Sequence, residues 1–159
     1  MEAWSEFGVA VTGAGAALIG LLFVSISINL RQIIGSALLQ SRSAFALLLL
    51  LVPTASAMLL LVPQTPAAFG VELLVLAALV CPGLLWQARP GVRPPEQPVA
   101  VRLASTVTPA VCTAGGVLVS GVLLVTGSTA GLYVLVFTVL AAFAGALTTT
   151  WVLLVEILR

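Results

Sequence analysis

Histidine, lysine and aspartate are absent from this sequence. Without them no Ser-His-Asp or Cys-His arrangement can be assembled. A metal site built on imidazole is excluded as well, and two cysteines with scattered glutamates make a poor zinc site. We therefore expect no metal, no cofactor and no enzyme activity, because too few groups remain for acid–base work. Charge of either sign is scarce: 7% of residues are charged and 61% are hydrophobic, with a mean hydropathy of +1.26. A soluble domain carries about 25% charged residues, so this chain cannot cover a water-exposed surface. A net charge of +1 gives no reason to expect nucleic acid. Cys81 and Cys112 both fall inside apolar runs and read as small packing residues rather than a disulfide.

What is present is length of apolar chain. About 20 apolar residues cross the hydrocarbon layer as a helix. Strongly apolar runs occur at roughly 7–30, 44–62, 66–87, 103–126 and 130–156. The breaks between them carry charge or turn signals: Arg31 through Arg42, Pro63-Gln64-Thr65-Pro66, the Pro-rich segment RPGVRPPEQP within 88–102, and Thr126-Gly127-Ser128-Thr129. The expected fold is all-α: one transmembrane domain over residues 1–159, a polytopic bundle of five helices. The first run has no positive residue ahead of it, only Glu2 and Glu6, and reads as a retained helix rather than a signal peptide.

Five crossings put the segments 31–43 and 88–102 and the C-terminus on one side. All six arginines (31, 42, 89, 93, 102 and 159) then lie there, and none lies opposite. The excess of positive charge in cytoplasmic loops places the N-terminus outside and the C-terminus in the cytoplasm, in a cell membrane. Arg31, Arg42, Arg89, Arg93 and Arg102 are topology determinants first, with anionic lipid headgroups as expected secondary contacts. Trp4, Phe7, Phe69 and Tyr133 are expected near the outer boundary, Trp86 and Trp151 toward the inner one.

Residues 22–34, LFVSISINLRQII, alternate polar and apolar positions at the end of the first run. On a helix advancing about 100° per residue, with Ser25 at zero, Asn29 lies near 40° and Gln32 near 340°. Ser27 and Arg31 lie near 200° and 240°, so the alternation is two stripes on opposite sides of one helix. Gly13, Ala17 and Gly20 share the second side, between roughly 220° and 280°, and form a seam that admits close helix approach. Ser25 and Asn29 need hydrogen-bond partners in hydrocarbon. Either they bond a neighbouring helix or they face a water-filled space.

Glu72 lies about six residues into the third helix, roughly 9 Å along it. An ionisable group inside a membrane span marks a functional-site hypothesis, and Thr12, Thr54, Ser56 and Tyr133 are its candidate neighbours. Pro53 is expected to bend the second helix beside Thr54 and Ser56. The fourth helix repeats small residues every four positions (Thr108, Cys112, Gly116, Ser120), and the fifth does so at Ala141, Gly145 and Thr149. Both are packing seams, within one chain or between chains. Glu156 and Arg159 form an expected surface pair.

Two functions fit. In the first, several copies enclose a channel or permeation pathway for a small cation or proton, since five helices in 159 residues enclose little space alone. The first helix lines it, with Glu6, Ser25 and Asn29, and with Glu72 as an ion-binding group. The partners are then the bilayer, further copies and small cations. In the second, the chain is a non-catalytic accessory or assembly subunit of a larger membrane complex.

Overall fold

The structure, a computed structural model, describes residues 4–89 and 103–157, the side chains of 104, 156 and 157 excepted. It is all-helical among those residues. Helix α1 spans Ser5–Ile28, a short α2 spans Leu30–Ile34, and α3 spans Ala37–Leu60. Helix α4 covers Pro66–Gln87. A π-helical turn at Leu103–Val107 leads into α5, Thr108–Val125, and α6 covers Ala130–Ile157. Five of these are long and apolar enough to cross a membrane. The Pro-rich segment and the arginines at 93, 102 and 159 lie outside the described residues, as does the side chain of Glu156.

Local chemistry sets most boundaries. Ser36 opens α3 by accepting a hydrogen bond from the Leu39 amide at 3.5 Å, and Thr65 opens α4 by accepting from Ala68 at 3.2 Å, with Pro66 in the first turn. The α5–α6 turn closes on Gly127, whose φ of +84° suits a residue without a Cβ. There the Ser128 amide bonds the Leu123 carbonyl and the Gly127 amide bonds Leu124, the paired closure common at helix C-termini.

The second span begins seven residues earlier than its apolar run, at Ala37 rather than 44. Gln40, Ser41, Arg42 and Ser43 read as loop in the sequence. The Ser36 cap starts the helix ahead of them, and its packing buries Arg42, only 2% exposed, and Ser43. Ser43 satisfies its hydroxyl on the Leu39 carbonyl, and Ser41 bonds Gln87 across to α4 at 2.7 Å.

Helix α3 is the hub, packing against α1, α4 and α6, while α5 packs against α4 and α6. Successive spans run antiparallel: Gly8 and Gly15 of α1 lie against Leu61 and Thr54 of α3, and Gly83 of α4 lies against Leu48. Arg31, Arg42 and Arg89 thus gather at one end of the bundle, the arginine end. The core holds Phe45, Leu49, Leu73, Leu84, Leu124, Leu135 and Leu153. Large apolar side chains also project outward, among them Leu79, Val119, Phe137 and Leu140, whereas Ser56, Thr106, Thr113 and Ser120 are buried. Hydroxyls inside and hydrocarbon outside are what a lipid surround requires.

The rings at the opposite end divide. Trp4 meets Phe7 edge-on at 6.1 Å and Tyr133 of α6 at 5.2 Å, tying the start of α1 to the start of α6. Phe69, in the first turn of α4 at the same end, is 0% exposed and packs into the core.

Candidate functional site

Glu72 is half-buried on α4. Its partner is Gln64, in the α3–α4 turn, whose Nε2 donates to Oε2 at 2.7 Å and also to the Leu59 carbonyl at 3.0 Å. One amide therefore ties the carboxylate to the end of α3. None of the expected neighbours bonds it: the Tyr133 ring meets Trp4, the Thr12 hydroxyl has no hydrogen-bond partner among the described residues, and Thr54 donates to the Leu50 carbonyl and Ser56 to that of Val52. Both bonds run four residues back within α3, beside Pro53, whose ring leaves the helix without that residue's N–H donor. Sequence reasoning missed Gln64 because it sits in a turn signal, where a polar residue attracts no notice.

The polar stripe of α1 behaves differently from the seam opposite it. Asn29 ends the helix, and its Nδ2 donates to the Ser25 carbonyl at 2.9 Å, one turn back on its own helix. Ser25 is half-buried, and its hydroxyl has no hydrogen-bond partner among the described residues. It lines a groove of about 200 Å³ between α1, α3 and α6, with Leu18, Leu22, Leu50, Ala146 and Thr150. The polar stripe thus lies toward the bundle.

The buried positions of α1 are Gly8, Val11, Gly15 and Leu22, between about 40° and 100° on the same wheel. A Cβ on Gly15 would collide with the Thr54 side chain, and one on Gly8 would come within 2.9 Å of Leu61. Gly13, Ala17 and Gly20 are exposed, and a Cβ on Gly13 or Gly20 would meet nothing. The seam expected to pack thus faces away from the other described helices. Glu6, also exposed, lies near 260° on that same outer face. The four candidate ion-binding residues therefore do not converge within one chain. Glu6 is on the outer face of α1, Ser25 and Asn29 are on the inner side at its far end, and Glu72 is on α4.

The seams of the last two spans face each other inside the chain. A Cβ on Gly116 would collide with Thr138, and one on Gly145 with Pro109. Ser120 donates to the Gly131 carbonyl at 2.7 Å, bonding α5 to α6. Thr149 reaches the Ser105 carbonyl at 3.3 Å, in the π-helical turn. Cys81 is buried as expected, but Cys112 is exposed. Helix α4 meets α5 at a crossing that the four-residue patterns did not reveal, with Gly70 on one side and Gly121 on the other.

Among the described residues no group of three potential metal ligands exists. In comparisons with protein-family models, with curated proteins and with solved structures, nothing matches this chain.

Proposed function

We propose that the chain is a non-catalytic integral membrane protein that assembles with copies of itself through the outer face of α1, a small cation or proton passing along the α1-lined interface. The observation that supports this reading is the open row of Gly13, Ala17 and Gly20, continued by the exposed Glu6, with no neighbour against Gly13 or Gly20 among the described residues. A lipid-facing row of this kind gains little from acyl chains and much from a second helix backbone at close range. Repeated around an axis, Glu6 forms an acidic ring at one mouth, which favours cations. Ser25 and Asn29 then support the helix from behind rather than line the path. The N-terminus lies outside and the C-terminus in the cytoplasm of a cell membrane, as the arginines imply.

The test uses Gly13→Cys and Ala17→Cys in a chain whose own cysteines are replaced by alanine. Oxidation in membranes is expected to yield a covalent dimer of the chain. The same protein in liposomes is expected to pass protons or small cations, with flux reduced by Glu6→Gln. A cross-link to a different protein would instead favour the accessory-subunit reading. Cross-linked dimers without flux would keep the assembly and remove the pathway.

A further inference from the structure

Beyond assembly, we propose that the arginine end of α1 holds an anionic phospholipid. One acyl chain lies between α1 and α3, and the phosphate sits at Arg31.

Three features adjoin. The first is an apolar groove of about 410 Å³ between Ile19 and Phe23 of α1 and Ala44, Leu47, Leu48 and Leu51 of α3. It runs from the middle of α3 toward the arginine end, beside the half of α1 nearest that end. The second is a recess of about 420 Å³ at the corner where α1 breaks into α2, lined by Ser27, Ile28, Asn29, Leu30, Arg31 and Gln32. Phe23 at the groove and Ser27 at the recess are four residues apart, about 6 Å along the helix. Hydrocarbon lining therefore gives way to amide, hydroxyl and guanidinium over one helical turn. The third is charge. Arg31 is exposed, and the described carboxylates, Glu6 and Glu72, are both at the opposite end. An amphipathic slot with a cation at its mouth, open sideways to the bilayer, matches a lipid with a negative headgroup better than a zwitterionic one.

The corner itself follows from the sequence. Asn29, the residue between α1 and α2, adopts φ −104° and ψ 19° and turns the chain so that Arg31 follows outside the span. Its side chain is held on the Ser25 carbonyl, which fixes the turn that forms the recess.

Native mass spectrometry of the full chain in detergent tests this, with dioleoyl phosphatidylglycerol and dioleoyl phosphatidylcholine as probes. A preference of about five-fold for the anionic lipid is expected, the size of one arginine at a membrane surface. Arg31→Gln should abolish the preference. Ala44→Leu and Ala44→Trp should weaken retention of the lipid by filling the groove, with helicity by circular dichroism confirming the fold. Arg89, whose guanidinium stacks on Trp86 at 4.4 Å, is the control, and Arg89→Gln should keep the preference. Equal binding of the two lipids would overturn the proposal. So would an equal loss in the Arg31 and Arg89 variants, which would mean diffuse surface charge, or unchanged retention in both folded Ala44 variants.

Discussion

Gly70 and Gly121 cross backbone to backbone: a Cβ on Gly70 would lie 2.8 Å from the Gly121 carbonyl oxygen, and one on Gly121 would lie 3.0 Å from that of Gly70. Neither carbonyl can rotate aside, because each belongs to a helix. In lipid the drive for helix association is close packing, since acyl chains are as apolar as leucine.

Alanine at either position should therefore act as overpacking. Gly70→Ala is expected to cost about 1–3 kcal/mol, because the Leu124 Cβ and the Val125 backbone nitrogen would also have to move. Gly121→Ala should cost less if the Leu74 side chain swings away from it. Denaturant titration of the purified protein in micelles measures both. Wild-type stability in Gly70→Ala would mean that the two helices do not cross there.

Helix α1 offers a paired test of which face packs. Gly15→Val should drive α1 off Thr54 and lower stability by about 1–3 kcal/mol, whereas Gly13→Val should leave the unfolding of the single chain unchanged. If the order were reversed, the helix would be turned the other way round.

Gln64 and Glu72 should act as one unit. Gln64→Ala and Glu72→Ala are each expected to destabilise, and the double variant by less than their sum. The coupling should be about 1 kcal/mol, as for a typical intramolecular hydrogen bond. Glu72→Gln keeps an acceptor oxygen and should cost less than Glu72→Ala. Strict additivity in the double-mutant cycle would mean that the 2.7 Å contact does not hold the turn.

Much of the architecture was legible because lipid leaves helices few options: long apolar runs gave the spans, and caps such as Thr65-Pro66 and the Gly127 turn gave their ends. The start of α3 was not legible, because apolarity marks where lipid is and not where hydrogen bonding begins. Ser36 and the burial of Arg42 and Ser43 set that end instead. Glu72 was visible as an anomaly. Its partner was not, because an eight-residue separation across a turn leaves no periodic trace.

The sequence by itself determined that α1 carries two unlike faces, since a helix's rotation per residue is fixed and places Ser25 and Asn29 opposite Gly13, Ala17 and Gly20. It did not determine which face turns inward. That was decided by the fit of Gly8 and Gly15 against Leu61 and Thr54 of α3, a contact between distant parts of the chain. A single helix holds no information about the shape of its neighbour, so only the tertiary structure could choose.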